Sequence, residues 1–168
     1  QATLHSLFEA ARWAPSANNS QPWRFIYVHN GSAQWPATLE LLNEKNRAWA
    51  AKASVLIVLV SKTTHVRAGN DTATALRNHS LDAGAAWAHL ALQAEHAGWH
   101  SHAIGGFDRD QARSLLGVPD GYQVEIAIAI GKLASRDSLS AELQAREQPT
   151  QRNPLHSLIA EGQFNFQA

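Results

Sequence analysis

Apolar positions at helical spacing open the chain and then give way to runs typical of strands. The first stripe predicts a helix over residues 3–13, and it consists of Leu4, Leu7, Phe8 and Ala11. Residues 24–29 form a β-branched and aromatic run, which predicts a strand. Residues 54–61 are almost continuously apolar, so we expect a central strand that is buried on both faces of a sheet. Short helices are predicted between the two strands, over 36–43 and 46–52.

The middle of the chain carries the longest helical pattern. A polar loop is predicted over residues 62–70, and one helix over residues 71–98. At a rise of roughly 1.5 Å per residue, that helix would be about 40 Å long. Its apolar face consists of Leu81, Ala85, Ala88 and Leu92, with Gly84 and further alanines keeping much of it small. Such a face permits close helix approach, so it would lie either in the core or in a helix-mediated dimer interface.

The last third of the chain alternates strand and helix patterns again. The predicted elements are, in order, a strand over 101–107, a helix over 109–116 capped by Asp108, a strand over 122–131, and helices over 138–146 and 154–162. No repeat and no low-complexity linker interrupts the sequence. We therefore expect residues 1–168 to form a single α+β domain.

Composition excludes several classes of protein. The 168 residues carry 14 basic and 14 acidic side chains, and this balance does not suit an electrostatic nucleic-acid binder. No apolar run approaches the roughly 20 residues that span a bilayer, and no signal-peptide pattern is present. We expect a cytoplasmic location and no membrane partner. Because the chain has no cysteine, disulfides and thiolate chemistry are excluded.

Motifs for hydrolytic, phosphate-loop and metal chemistry are also missing. The sequence contains no Gly-x-Ser-x-Gly turn, no Walker-type loop and no Gly-x-Gly-x-x-Gly. His96, His100 and His102 cluster in sequence, but Gly98 falls between the first two and would end the helix that could align them. We expect surface or satisfied histidines here and no metal site.

Residues 14–23 form a rigid polar loop between the first helix and the first strand. Pro15 and Pro22 have a fixed φ and lack a backbone donor, so this segment cannot continue a helix. Its amide and hydroxyl side chains would suit a planar heterocycle that is held by hydrogen bonds. The alternative is an ordinary helix-to-strand connection, because Asn, Ser and Pro are common in loops.

Three further positions offer hydrogen bonding or close backbone approach. Gly105-Gly106 would either let a flat ligand approach the backbone or form a tight strand-to-helix turn. Arg152 would be solvated or would pair with a phosphate. Asn46 would cap the helix that follows it. Because no nucleophile or strong general base stands among these positions, the set suits a protein whose chemistry belongs to a bound organic cofactor.

The ordered motifs resemble those of the FMN-dependent nitroreductase family. The most specific are Ala11-Arg12-Trp13-Ala14-Pro15-Ser16 and Asn19-Ser20-Gln21-Pro22-Trp23-Arg24-Phe25. Weaker ones follow in the same order, namely Asn46-Arg47-Ala48-Trp49-Ala50, Ser80-Leu81-Asp82-Ala83-Gly84, Gly105-Gly106-Phe107-Asp108 and Arg152-Asn153-Pro154-Leu155. The resemblance therefore covers nearly the whole chain.

The resemblance implies a three-layer α-β-α fold with a central mixed sheet and an intertwined homodimer, in which two FMN molecules lie at the interface. The long helix would form part of the dimer core. The implied flavin contacts are Pro15, Ser16, Ala17 and Asn19 from one subunit, Asn46, Ala103, Gly105 and Gly106 from the other, and Arg152 on the phosphate. The two glycine amides would reach the N5/O4 edge of the flavin.

The implied activity is transfer of hydride from NAD(P)H through flavin N5 to a nitro-aromatic, quinone or similar small-molecule acceptor, by a ping-pong mechanism. No side chain is implied as catalytic, so solvent or substrate would carry the protons. The alternatives are a non-catalytic flavin-binding or sensory protein on the same scaffold, and a helical interaction protein without flavin.

The chain departs from the family pattern in two places. Trp49 stands where many members have a lysine that contacts the flavin. An Arg-x-Ser-x-Arg segment that clamps the phosphate usually opens the family's chains, and we expect it upstream of Gln1.

Overall fold

The computed structural model describes residues 1–66, 69 and 71–166. The chain divides into two units, Gln1–Leu133 and Ala134–Ala168, and each is described by itself. In the first unit the elements are α1 (Ala2–Arg12), β1 (Trp23–His29), α2 (Trp35–Glu40), α3 (Glu44–Ala50), β2 (Val55–Lys62), β3 (Thr64–Val66), β4 (Ala73–Ala75), α4 (His79–His96), β5 (His100–Ile104), α5 (Arg109–Leu115) and β6 (Tyr122–Gly131). The second unit contains α6 (Ala141–Arg146).

A four-stranded sheet in the order β1-β2-β6-β5 forms the centre of the first unit. All three strand pairs are antiparallel. The α+β prediction is confirmed, but the expected mixed sheet is wrong for these strands. The connection between β1 and β2 shows the reason. His29 at the end of β1 pairs with Val55 at the start of β2, so the chain enters β2 at the same end of the sheet at which it leaves β1. A parallel neighbour would need a crossover to the opposite end.

Helices cover both faces of this sheet, which confirms the three-layer arrangement. Val55, Ile57 and Leu59 of β2 pack with the apolar residues of α1 and α4. Their alternating neighbours, Leu56, Val58 and Val60, pack on the other face with residues of the α2, α3 and α5 region. Successive strand residues point to opposite faces, so a strand buried on both sides must be apolar throughout. The central strand predicted over 54–61 is therefore confirmed.

The predicted helix over 71–98 is wrong in its first part. Residues 73–75 form β4 instead and pair with β3 in a two-stranded sheet, which also corrects the predicted polar loop over 62–70. Arg67, Ala68 and Asn70 of that loop lie outside the described residues. Thr64, Val66 and Thr74 are β-branched, and such side chains favour strands over helices. The helix begins only at His79, and its 18 residues give a length of about 27 Å.

The buried face of α4 is also not the predicted one. Its buried residues are Asp82, Ala83, Ala86, Leu90 and Ala94, whereas Leu81 and Leu92 are 72% and 71% exposed. Alanines face inward because they let α4 lie close to α1 and the sheet. The prediction that the Leu81–Leu92 face lies in the core is thus wrong for the single chain. The alternative, that this face lies in a dimer interface, stays a prediction.

The second unit contains less helix than predicted. The helix predicted over 138–146 begins at Ala141, where Ser140 caps its N-terminus. The helix predicted over 154–162 is wrong, and a single 3₁₀ turn spans Leu155–Ser157. Leu155, Leu158 and Ile159 are all exposed. Because short helices depend on burial of an apolar face, this segment does not become helical.

Among the described residues, every helix is too short or too polar to cross a bilayer.

Candidate functional site

The loop between α1 and β1 is held in an unusual backbone conformation. Asn18, Asn19 and Gln21 have φ values of 53°, 51° and 46°. Left-handed backbone costs a residue with a side chain roughly 1–2 kcal/mol, although asparagine tolerates it better than most. Three such residues within four positions form a cluster of stored strain, and such clusters are typical of functional sites.

Two side chains hold this loop at its ends. The Ser16 hydroxyl accepts a hydrogen bond from the backbone N–H of Gln21 at 3.0 Å. The Asp82 carboxylate accepts one from the backbone N–H of Ala17 at 3.1 Å. The predicted rigid loop therefore has specific contacts that make it rigid.

A cleft of about 590 Å³ lies between the loop and the beginning of α4. We call it the α4 cleft, and its lining residues are Pro15, Ser16, Ala17, Asn78, Ser80, Leu81, Asp82, Gly84 and Ala85. Three of the four predicted flavin contacts in the loop thus share one cleft. Asn19 lies in the same loop but outside this lining set.

The second group of predicted contacts gathers at the end of β5. The Asn46 side chain donates a hydrogen bond to the Gly106 carbonyl at 3.2 Å, and the Asn43 backbone N–H donates to the same oxygen at 3.0 Å. Asn43, rather than Asn46, caps α3, because its side chain accepts from the Asn46 N–H at 2.9 Å. The capping alternative for Asn46 is therefore wrong. Its side chain is instead free to tie α3 to the turn after β5.

Gly105 and Gly106 differ in how much space surrounds them. A Cβ on Gly106 would overlap the Asn43 side-chain nitrogen and lie 2.8 Å from that of Asn46. A Cβ on Gly105 would meet nothing within 4 Å among the described residues, and its φ is not positive. Neither glycine N–H donates a hydrogen bond to an acceptor among the described residues. A flat ligand could therefore approach this backbone edge and find two free donors.

The two groups of residues lie at opposite edges of the sheet. The loop leads into β1 and the glycines follow β5, and these are the two outer strands. At about 4.8 Å per strand, three spacings separate the edges by about 14 Å. The single chain therefore places the predicted contacts in two separate groups, which we call half-sites, and does not gather them in one place.

Arg152 belongs to the second unit. Its guanidinium is exposed and donates a hydrogen bond to the Thr150 hydroxyl at 2.9 Å. Its proposed role toward a phosphate stays a prediction.

Trp49 and the histidines have local partners. The Trp49 ring lies 4.7 Å from the ring of His102, centroid to centroid. His100 Nδ1 lies 3.1 Å from a carboxylate oxygen of Glu95. The described residues contain no group of three or more potential metal ligands. These contacts account for His100 and His102, two of the three histidines that suggested a metal.

A polar cluster beneath the first turn of α4, in which Ser61 is buried and Ser80 is exposed, was missed in the sequence. The Ser61 and Ser80 hydroxyls donate to Glu125 Oε1 at 2.5 Å and 2.8 Å. His79 Nδ1 lies 2.8 Å from Ser61 Oγ and 3.4 Å from Glu125 Oε1. In the relay of a serine hydrolase, the serine and the carboxylate contact different nitrogens of the histidine. Here Nδ1 of His79 faces both Ser61 and Glu125, and Ser61 is 0% exposed, so the cluster is not such a relay. The cluster fixes α4 on β2 and β6.

Trp13 stands exposed just before the loop. Its indole N–H donates to the Glu9 carboxylate at 2.9 Å, and the Arg12 guanidinium lies 4.8 Å from the ring centroid. Hydrogen bonds from Arg12 and then Trp13 lower the pKa of Glu9 from 4.5 to about 2. The contribution of this pair to stability is present above pH 4.5 and is lost as the pH falls through 2. Because the pair is exposed, that contribution is small.

Comparisons with known proteins identify the family. The fold is that of a three-layer α+β protein with two separate groups of hydrogen-bonding residues beside its outer strands. The model of the nitroreductase family matches residues 1–44 and 32–132. An uncharacterized 15.4 kDa protein of Mycolicibacterium smegmatis is 33% identical over 130 residues, which are 76% of this chain and 82% of that protein. The chain belongs to the nitroreductase family.

Two further relatives are named for redox chemistry. An NADH dehydrogenase of Thermus thermophilus is 29% identical over 157 residues, covering 76% of this chain and 74% of that protein. A crystal structure described as an oxidoreductase containing FMN is 42% identical, with a TM-score of 0.94 over 99% of this chain and 84% of that one.

Proposed function

We propose that this protein is an FMN-dependent oxidoreductase that takes hydride from NAD(P)H and passes it to a nitro-aromatic, quinone or similar small molecule. The observation that carries the proposal is the backbone edge at Gly105 and Gly106. Among the described residues its two N–H groups donate to no protein acceptor, and the space beside Gly105 is open, as a flat heterocycle requires. Family membership and a 42% identical neighbour described as containing FMN support the same cofactor.

Each half-site would contribute a different part of the cofactor contact. Asn46, Ala103, Gly105 and Gly106 would hold the ring from one copy of the chain. Pro15, Ser16, Ala17 and Asn19 would contact it from a second copy, because the two groups lie at opposite sheet edges. Arg152 would pair with the phosphate, as a guanidinium can do through two hydrogen bonds.

FMN, when bound, supplies the hydride acceptor for NAD(P)H and the hydride donor for the second substrate in alternate half-reactions. The residues of this chain orient the ring and direct N–H donors at the edge where negative charge develops, which lowers the barrier electrostatically. None of the proposed contacts is a positioned acid or base, so we assign the protons to solvent or substrate.

A homodimer completes the proposed site. The exposed face of α4 carries Leu81 and Leu92 with smaller residues between them, and we propose that this apolar face lies at the contact between two copies. The 18.3 kDa chain is expected to elute with twice its mass in light scattering coupled to size exclusion. The double variant Leu81→Glu/Leu92→Glu should be monomeric, since it would bury two like charges at one contact. Wild-type protein that is monomeric at micromolar concentration would contradict this assembly.

Turnover tests the proposed reaction. We expect FMN-loaded protein to oxidise NADH or NADPH when a quinone or nitro-aromatic is present, with parallel double-reciprocal lines as the two substrates are varied. Protein that binds FMN tightly but oxidises neither nucleotide with any acceptor would instead support the non-catalytic flavin-binding alternative.

A further inference from the structure

Asp82 is the charged residue lining the α4 cleft, within the part of the chain that the structure describes. Asp82 is 7% exposed, and its Oδ2 accepts a hydrogen bond from the backbone N–H of Ala17 at 3.1 Å, 65 residues away in sequence. Hydrogen bonds to an ionised acceptor are about twice as strong as neutral ones. The contact therefore ties the loop firmly to the first turn of α4.

The loop needs this hydrogen bond because its observed backbone conformation is unfavourable for residues that carry side chains. Asn18, Asn19 and Gln21 all have positive φ, and backbone of this kind persists only where its surroundings hold it. Ser16 holds the far end through the Gln21 N–H, and Asp82 holds the near end through the Ala17 N–H. The strained residues thus lie between two anchors.

Asp82 can hold the loop because its own helix turn is fixed. Ser80 donates to the Glu125 carboxylate on β6, and His79 lies against Ser61 on β2. These contacts attach the first turn of α4 to two central strands. If the loop relaxed, the turn could not follow it, and the Asp82–Ala17 hydrogen bond would break.

We propose that Asp82 is a positioning residue that keeps the loop in its cofactor-binding conformation before the cofactor arrives. The inference rests on the proposed function, in which Pro15, Ser16, Ala17 and Asn19 contact FMN. Without the carboxylate, the loop relaxes from its left-handed conformation, and FMN binding must restore it. Ordering of this kind weakens affinity without removing any direct contact.

Amide hydrogen exchange of the cofactor-free protein is the first test. In Asp82→Ala the Ala17 N–H loses its acceptor, and residues 16–21 should exchange about tenfold faster or more. Asp82→Asn retains an oxygen acceptor and should restore most of the protection. The control is Asn30→Ala, which removes side-chain hydrogen bonds to the Ala51 and Ala53 carbonyls at the other end of β1. It should leave the loop unchanged.

FMN affinity is the second test. Asp82→Ala should raise the Kd for FMN about tenfold, a loss of the size that one charge-assisted hydrogen bond supplies, and should change the visible circular dichroism of bound flavin. Asp82→Asn keeps an oxygen acceptor without the charge and should recover a large part of both. If wild-type protein binds no FMN, the proposed function fails, and hydrogen exchange still decides whether Asp82 holds the loop. If Asp82→Ala lowers only the melting temperature, leaving loop exchange and FMN affinity unchanged, the residue is merely structural and the inference is overturned.

Discussion

Gly106→Ala is expected to destabilise the protein by about 3 kcal/mol. The new Cβ would overlap the Asn43 side chain. That side chain cannot rotate away freely, because its oxygen, Oδ1, accepts the hydrogen bond that caps α3. Overpacking typically costs about 1–3 kcal/mol, and loss of an N-cap adds about 1 kcal/mol. The Asn46 hydrogen bond to the Gly106 carbonyl would be strained as well. Urea unfolding of the cofactor-free protein measures the change.

Gly105→Ala is the matched control, one residue away. Its Cβ would meet nothing within 4 Å among the described residues, so stability should change by less than about 1 kcal/mol. The same Cβ would project beside the proposed flavin edge, so FMN affinity should fall while the fold persists. Equal stability of the Gly106→Ala and Gly105→Ala variants would contradict the tight packing of Gly106 against Asn43 and Asn46.

Arg152→Ala is expected to weaken FMN binding by about 10- to 100-fold and to leave riboflavin binding unchanged. Riboflavin lacks the phosphate, and a hydrogen bond to a charged group contributes about 1.5–3 kcal/mol. Comparing the two Kd values by fluorescence quenching therefore isolates the phosphate contact. Arg146→Ala removes another cation of the second unit and should leave both affinities unchanged. A loss that is equal for FMN and riboflavin would assign Arg152 to the ring or to the fold.

Local sequence patterns predicted the elements that depend on residues close to one another in the sequence. The continuous apolar run gave β2, since a strand covered on both faces has no polar position. Asp108 marked the start of α5, and its side chain does accept a hydrogen bond from the Gln111 N–H at 2.8 Å. Both signals act over a few residues, so no knowledge of the tertiary structure was needed.

Predictions failed where tertiary contacts override local preference. Leu81 and Leu92 lie on one face of α4, and their spacing suggested a buried stripe. The helix instead buries Ala83, Ala86, Leu90 and Ala94, a mostly small face that permits close contact with α1. Hydrophobicity alone does not reveal which of two apolar faces a neighbouring element will cover.

The site was predicted only in its local parts. The prolines and amides of the loop indicated rigidity, but the acceptor that holds Ala17 stands 65 residues away at Asp82. The Glu125 cluster likewise joins three distant segments. Contacts of this kind depend on the sheet register, which the sequence pattern did not provide.

The visible absorption spectrum of the purified full-length protein, after addition of FMN and removal of free flavin by dialysis, tests the central claim most directly. We predict that about one FMN per chain stays with the protein, with its long-wavelength band shifted from that of free flavin and bleached anaerobically by NADH or NADPH. A colourless protein, whose added FMN passes entirely into the dialysate, would contradict the assignment of the two half-sites to a flavin.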